Sequence, residues 1–214
     1  MGVNTNYLGH VEIVPPLNQA EYGYLMAFSQ SRRTARPGGP YAVTPKDPQT
    51  GSGDAAVDRY NSICEGQPGY WCQWAPCPHG CCLTWDGGEK FYAGPAWLQY
   101  LIDHFLRRGA VAQGVGDGQF ADFTFDHRMN GLVVGEQQDL RELFLLEVRD
   151  DLVVRHLLRP GDPDYGQPGY RGVEDRPWLP AEPPPRRGLD ADVWAALEPS
   201  LVPRPGRRRK RGTP

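Results

Sequence analysis

The stretch Tyr70-Trp-Cys-Gln-Trp-Ala-Pro-Cys-Pro-His-Gly-Cys-Cys-Leu-Thr-Trp-Asp86 decides the fold. Two runs rich in β-favouring residues flank a Pro/Gly turn near residues 78–80, which is the pattern of a β-hairpin. Strand side chains alternate between two faces. The face expected to pack on a helix carries Cys72, Trp74, Leu83 and Trp85. The face left for solvent or a ligand carries Trp71, Gln73, Thr84 and Asp86.

The residues before this hairpin predict one strand and one helix. From Tyr7 to Val14 apolar residues alternate with polar ones, which is typical of a half-buried strand. Asn18 is placed to cap a helix, with Glu21 at the reciprocal position of a capping box. The helix is predicted over 19–32.

The residues after the hairpin predict a second helix and three strands. The helix begins near Pro95, and its apolar face is formed by Trp97, Leu98, Leu101, Ile102 and Phe105. Strands follow over 131–134, 142–148 and 152–157. The order β-α-ββ-α-βββ indicates an α+β fold: a single domain, mostly antiparallel sheet with two main helices on one face.

Composition predicts the limits of this domain. The chain of 214 residues has 26 Gly and 22 Pro, and two segments are poor in helix or strand patterns. Residues 35–56 are predicted to be a long flexible loop inside an α+β domain spanning 1–158. Residues 159–214 are predicted to be a Pro-rich, largely disordered tail that ends in a basic run.

The charge is distributed unevenly. The whole chain carries −3 and residues 201–214 carry +6, so the other 200 residues carry −9. An acidic body repels phosphate backbones, so nucleic-acid contact is expected only from the tail, and only without sequence specificity. The residues for such contact are Arg207, Arg208, Arg209, Lys210 and Arg211. No stretch has the length of apolar residues that a membrane span needs, and a cytoplasmic protein is expected.

Several short motifs suggest a family. The string Trp-Asp-Gly-Gly-Glu-Lys-Phe-Tyr at 85–92 and the Tyr-Leu-Ile-x-His-Phe-Leu pattern at 100–106 are the most specific of them. With these motifs, residues 1–158 resemble a group of small hypothetical proteins from actinobacteria and their phages. The resemblance supports the domain limits and implies no activity. The cysteine-rich hairpin tip and the basic tail are additional to the group's pattern.

The five cysteines lie between Cys64 and Cys82. Ligands for a structural zinc ion could come from Cys77, His79 and Cys81 at the hairpin tip, with Cys72 or, as an alternative, Cys82 as the fourth ligand. Two observations argue against such a site. Paired CxxC spacing is missing, and a tip at 78–79 would point Cys81 and Cys82 to opposite faces of the hairpin. The reduced protein is therefore expected to carry no metal and no cofactor. Plain thiols are favoured over a disulfide, because a reducing cytosol keeps cysteines in the thiol form.

The polar face of the hairpin is the candidate binding site. Its residues are Trp71, Gln73, Asp86, Glu89 and Lys90, a mixture of aromatic and hydrogen-bonding groups that suits a small molecule or a protein partner. The sequence holds no complete catalytic motif, so a non-enzymatic cytosolic interaction module is predicted. Two further hypotheses stay open: a small enzyme that uses Asp86, Glu89 and Lys90, and a zinc-stabilised nucleic-acid accessory protein with a basic tail.

Overall fold

The computed structural model describes residues 4–35, 38–43, 62–116 and 118–165. The chain divides into two units, Met1–Tyr170 and Arg171–Pro214, and every described residue belongs to the first. These residues form a six-stranded antiparallel sheet and two α-helices in the predicted order β-α-ββ-α-βββ. Among them, no helix combines the length and apolar character needed to cross a bilayer.

The strands are β1 (Thr5–Val14), β2 (Trp74–Pro76), β3 (Cys82–Trp85), β4 (Arg128–Gln137), β5 (Glu142–Arg149) and β6 (Leu152–Arg159). The helices are α1 (Gln19–Gln30) and α2 (Gly94–Leu101). Across the sheet the strands lie in the order β2-β3-β1-β4-β5-β6, and every neighbouring pair is antiparallel. The long central pair β1–β4 therefore carries the β2–β3 hairpin on one side and the β5–β6 hairpin on the other.

One face of the sheet forms the core with the helices. In β1, Tyr7, Val11 and Ile13 are buried, whereas Leu8 on the other face is 79% exposed. Trp74 and Trp85 are paired across the β2–β3 hairpin, so their side chains lie on the same face of the sheet. Cys72, Trp74 and Leu83 are buried, and Trp85 packs against the core while partly exposed. The prediction that this face of the hairpin packs against the core is confirmed.

Helix α1 begins with the predicted capping box. The Asn18 side chain accepts from the Glu21 N–H at 3.0 Å, and the Asn18 N–H donates to the Glu21 carboxylate at 2.8 Å. These bonds satisfy two N–H groups that have no partner within the helix. The helix ends at Gln30, two residues before the predicted end.

Helix α2 presents the predicted apolar face to the core, and all of Trp97, Leu98, Leu101, Ile102 and Phe105 are buried. After Leu101 the chain continues as a π-helical turn over Ile102–Leu106.

In the turn between β5 and β6, Asp150 and Asp151 both have positive φ, 48° and 71°. Positive φ at both central residues gives a two-residue turn whose twist matches that of the strands it joins, here β5 and β6.

The loop predicted over 35–56 is partly packed against the core in its described residues 38–43. Tyr41 is buried, and its backbone oxygen accepts from the Tyr24 hydroxyl at 2.8 Å. The buried Arg33 holds the segment by donating to the oxygens of Pro40 and Ala42. A buried arginine forms such bonds because an unpartnered guanidinium inside a core is costly. Residues 44–56 lie outside the described part.

The predicted domain boundary at 158 falls one residue before the end of β6. Arg159 pairs with Leu143, and the Asp162 N–H donates to the Leu140 oxygen at 2.7 Å. The Arg141 guanidinium lies 5.5 Å from the centre of the Tyr165 ring. The packed chain thus extends to at least Tyr165, and most of the predicted tail, with its basic run at 207–211, lies outside the described residues.

Candidate functional site

A pocket of about 370 Å³ opens beside the β2–β3 hairpin, and we refer to it as the Trp71 pocket. It lies between the segment that leads into β2 and the segment that leads into α2. Its apolar lining includes Ile63, Pro68, Tyr70, Trp71, Tyr92 and Trp97. Three charged residues also line it: Arg32, Glu89 and Lys90. An apolar cleft with a few charged groups is the usual form of a ligand site.

Two aromatic side chains at this pocket are open to solvent. Trp71 is 46% exposed and Tyr92 is 60% exposed. Trp97 is buried, and its indole Nε1 lies close to Gly69. A Cβ added at Gly69 would be 3.5 Å from this nitrogen. The pocket therefore combines a fixed buried indole with two accessible aromatic surfaces.

The segment bearing Glu89 and Lys90 is held by the hairpin. The Gln73 amide donates to the Glu89 oxygen at 2.8 Å, and its own oxygen accepts from Trp85 Nε1 at 3.1 Å. The Gly88 N–H donates to the Asp86 carboxylate at 2.8 Å. Gln73 and Asp86 thus shape the wall of the pocket and are not among the residues that line it.

Asp86 is an exposed residue, and its carboxyl is only partly shielded by neighbouring atoms. Burial raises the pKa of its carboxyl, and the backbone N–H groups of Gly88 and of Asp86 itself oppose the rise. A Cβ at Gly88 would approach the Gln73 amide to 2.8 Å, so a larger residue there would displace the Gln73 side chain. The Gly87-Gly88 pair therefore serves a tight turn between two hydrogen-bonded side chains.

Lys90 has a strained backbone at the edge of the pocket. Its φ is 62°, which is uncommon for a residue with a side chain, and its N–H donates to the Asn4 side chain at 3.1 Å. Strain of this kind persists where the surrounding structure imposes it, which is often at a functional site. The turn brings Lys90 and Tyr92 to the same pocket, since the Tyr92 N–H donates to the Lys90 oxygen at 3.0 Å.

The opposite wall comes from the end of α1. The Arg33 N–H donates to the Tyr70 oxygen at 2.7 Å, which joins the helix end to the hairpin. The Arg32 guanidinium lies 4.7 Å from the centre of the Tyr70 ring, a distance suited to a cation–π contact. With Arg32 and Lys90 positive and Glu89 negative, the charged residues of the pocket sum to one positive charge.

A second, more polar pocket of about 290 Å³ shares Tyr92 with the first. Arg155 lines it, with its guanidinium 4.2 Å from the centre of the Phe144 ring and paired to the Glu142 carboxylate. Because no tryptophan among the described residues lines it, the second pocket offers less aromatic surface and is a weaker candidate than the Trp71 pocket.

The structure thus brings together three of the five predicted binding residues: Trp71, Glu89 and Lys90. The sequence analysis missed Arg32 and Tyr92. Tyr92 belongs to the same local aromatic and charged string as Glu89 and Lys90, so the sequence held a signal for it. Arg32 could not be predicted, because its position depends on the contact between the end of α1 and Tyr70.

The cysteines occupy two kinds of environment. Cys72 is fully buried, and its pKa is raised by burial to about 12. In contrast, the sulfur atoms of Cys77, Cys81 and Cys82 all lie within 4.8 Å of one another at the hairpin tip. His79 and Cys72 are not members of this group, and Cys82 is. The expectation that Cys81 and Cys82 cannot share a site is therefore wrong.

No protein-family model, curated protein or solved structure matches the chain. The resemblance to actinobacterial and phage proteins accordingly stays a prediction.

Proposed function

We propose that the protein is a non-enzymatic binding module and that its Trp71 pocket receives an aromatic group bearing a negative charge. The observation that carries the proposal is the accessible pair Trp71 and Tyr92 on a pocket of about 370 Å³. Aromatic side chains supply large contact areas with few rotatable bonds, and they dominate binding energy in interfaces. The group could be part of a small molecule or a side chain of a partner protein.

The charged residues that line the pocket favour an occupant with a negative charge. Arg32 and Lys90 exceed Glu89 by one positive charge at the pocket. A carboxylate in the pocket would be attracted by the positive charges of Arg32 and Lys90. An arylcarboxylate therefore fits the pocket better than an aromatic amine of the same size.

A binding role is favoured over the enzyme hypothesis by the position of Asp86. Acid–base catalysis with Asp86, Glu89 and Lys90 needs all three groups to reach one substrate. Glu89 and Lys90 line the pocket, whereas the Asp86 carboxylate accepts the Gly88 N–H in the supporting turn.

A cytoplasmic location belongs to the proposal as well. It is supported by the five cysteines, all of which are free thiols, the state that a reducing compartment maintains.

The experiment is a chemical-shift survey of the ¹⁵N-labelled full chain. The probes are phenylacetate, its neutral analogue phenylacetamide, and a short peptide containing Phe next to Glu. We expect shifts at the Trp71 and Trp97 indole signals and at the Gly69 and Ala93 amides, larger for phenylacetate than for phenylacetamide. Preference for the peptide over phenylacetate would assign the natural group to a protein partner.

The control variant is Tyr22→Ala, which removes a partly buried aromatic residue that is not part of the pocket lining. It should leave the shifts unchanged, while Tyr92→Ala should reduce them. Shifts that are absent, or that centre on another part of the domain, would contradict the proposal.

A further inference from the structure

We propose that Cys77, Cys81 and Cys82 form a three-thiolate site for one thiophilic metal ion, with Zn²⁺ as the expected ion. Their sulfur atoms lie within 4.8 Å of one another, and the Sγ atoms of Cys77 and Cys81 are 3.5 Å apart. A tetrahedral zinc ion with Zn–S bonds of about 2.3 Å holds two ligand sulfurs about 3.8 Å apart. The spacing therefore fits three corners of a tetrahedron around one ion.

The length of the hairpin turn explains why the three side chains converge. The Cys77 N–H donates to the Cys82 oxygen at 2.9 Å, so these two residues close the hairpin as cross-strand neighbours on the same face. The turn between them has four residues, 78–81, and Cys81 is the last of these. Because Cys81 lies in the turn and not in β3, strand alternation does not apply to it.

The turn is held in place by other parts of the fold. The Cys81 oxygen accepts from the Ile13 N–H at 2.8 Å, and the Gly80 oxygen accepts from the Leu17 N–H at 2.9 Å. Gly80 has φ of 67°, and a Cβ there would lie 3.1 Å from the Leu17 oxygen. The backbone of the site is therefore fixed before any ion binds, which lowers the entropic cost of binding.

Hydrogen-bond donors surround the Cys77 sulfur. They are the thiols of Cys81 and Cys82 and the backbone N–H groups of His79 and Cys81. Donors of this kind stabilise negative charge on a sulfur atom.

Binding involves no oxidation. Each thiol that still carries a proton releases it to solvent, and the sulfur lone pair forms the bond to the metal. The N–H groups directed at Cys77 are hydrogen bonds of the kind that support metal-bound sulfur. Thiolates are soft ligands that favour Zn²⁺ or Cu⁺ over Mg²⁺ or Ca²⁺.

Two features favour a metal over a disulfide. A disulfide would use two of the three sulfurs and leave the third as a reactive thiol. It would also discard the hydrogen bonds that stabilise negative charge on Cys77. Since Cys81 is exposed, the fourth position of a tetrahedral ion would face solvent, as in sites that bind an external ligand.

The proposal replaces the sequence-based expectation of a metal-free protein. That expectation counted Cys72 and His79 as candidate ligands and gave Cys82 only as an alternative to Cys72. In the structure Cys72 is buried with its thiol directed at the Trp74 oxygen, 3.9 Å away. The ligand set therefore changes from a mixed Cys/His set to three thiols at the tip of the hairpin.

The test is a metal titration of the reduced, metal-free full chain. Co²⁺ serves as the spectroscopic probe, because thiolate ligands give it an intense charge-transfer band in the near ultraviolet. We expect the band to saturate at one equivalent and to disappear when one equivalent of Zn²⁺ is added. Zn²⁺ should also protect Cys77, Cys81 and Cys82 from alkylation and leave Cys64 and Cys72 unprotected by the metal.

Single variants separate the site from other metal-binding groups. Cys77→Ser, Cys81→Ser and Cys82→Ser should each abolish one-to-one binding while circular dichroism shows an unchanged fold. Cys64→Ser is the matched control, since Cys64 is a cysteine outside the group, and it should bind as the parent does. Loss of binding in the control or in His79→Ala would overturn the three-thiol site. Absence of the charge-transfer band, or a Cys77–Cys81 disulfide that persists in the purified protein beside unreacted Cys82, would overturn it as well.

Discussion

Glu21 and His127 form an ion pair in the interior, with His127 Nε2 at 3.1 Å from Glu21 Oε1 and both side chains 1% exposed. Thr124 donates to the same carboxylate oxygen through its N–H at 2.7 Å and its hydroxyl at 2.8 Å. His127 Nδ1 lies 2.7 Å from the Pro15 oxygen and must donate to it, because a carbonyl only accepts. When Nε2 is protonated as well, the imidazolium pairs with the Glu21 carboxylate, and the ring joins the start of α1 to the segment before β4.

Removing the charge of Glu21 is expected to destabilise the domain strongly. Glu21→Gln keeps the shape but leaves the His127 imidazolium without its counter-charge in a buried site. Breaking one partner of a buried pair costs about 3–5 kcal/mol. Urea unfolding of the variant measures the loss.

The matched control is Glu136→Gln, which breaks an exposed pair to Arg141 at 3.2 Å. Exposed pairs contribute about 0–1 kcal/mol, so this variant should unfold close to the parent. Equal effects of the two substitutions would show that the buried pair has no special role in stability.

The same pair predicts how stability depends on pH. Burial alone would raise the pKa of Glu21, but hydrogen bonds from His127, Thr124 and Asn18 lower it from 4.5 to about 2. The stabilisation from Glu21 is therefore complete above pH 4.5 and is lost as the pH falls toward 2. Burial alone would lower the pKa of His127, but Glu21 raises it above 6.5. Its stabilisation is complete below pH 6.5 and is lost as the pH rises through the raised value.

The difference in the free energy of unfolding between the parent and Glu21→Gln should consequently be largest between about pH 4.5 and 6.5. Urea titrations across the acid to mildly alkaline range measure this difference. A difference that stays constant with pH would mean that neither group changes its pKa on folding.

Much of the fold could be predicted, because its signals are local. The capping box at Asn18 and Glu21 needs residues only three apart in the sequence, and the alternation of Tyr7, Val11 and Ile13 follows from one strand. The second role of Glu21 could not be predicted. It depends on Thr124 and His127, which are more than 100 residues away and reach Glu21 only once the sheet has formed.

The candidate site shows the same division. Trp71, Glu89 and Lys90 were found because an aromatic hairpin followed by charges is a local pattern. The grouping of Cys81 with Cys82 was missed because it depends on the length of the turn: alternation holds in a strand and fails in a four-residue turn. Buried Tyr41 was missed for a related reason, since its segment has a loop composition and is held by Arg33 through bonds no local pattern reveals.

Two helix glycines should respond in opposite ways to substitution by alanine. At Gly94, the first residue of α2, a Cβ would collide with the buried Tyr7 hydroxyl, and overpacking of this kind costs about 1–3 kcal/mol. At Gly23, in the middle of α1, nothing lies within 4 Å of the added Cβ. Alanine there should stabilise the protein by about 0.5–1 kcal/mol. Thermal melts of both variants test this, and destabilisation by Gly23→Ala would contradict the packing of α1.

Two tryptophans separate the core from the binding surface. Trp74 is fully buried and its Nε1 donates to the Gly94 oxygen at 2.7 Å, so Trp74→Ala should cost about 3–5 kcal/mol. Trp85 packs only partly against the core, and its substitution should cost less than that of Trp74. Trp71→Ala should have the smallest effect of the three, because Trp71 is 46% exposed. Equal destabilisation by Trp71→Ala and Trp74→Ala would place Trp71 in the core.

The most direct test of the Trp71 pocket is the dissociation constant of phenylacetate for the parent, Trp71→Phe and Trp71→Ala, measured by NMR titration. We expect Trp71→Ala to bind at least about tenfold more weakly, because loss of a central aromatic contact costs more than about 1.4 kcal/mol. Trp71→Phe, which keeps an aromatic surface, should stay within a few-fold of the parent, and all three proteins should melt at similar temperatures. Equal affinity of all three proteins for phenylacetate would contradict the account, because the pocket would then bind without the residue on which it is built.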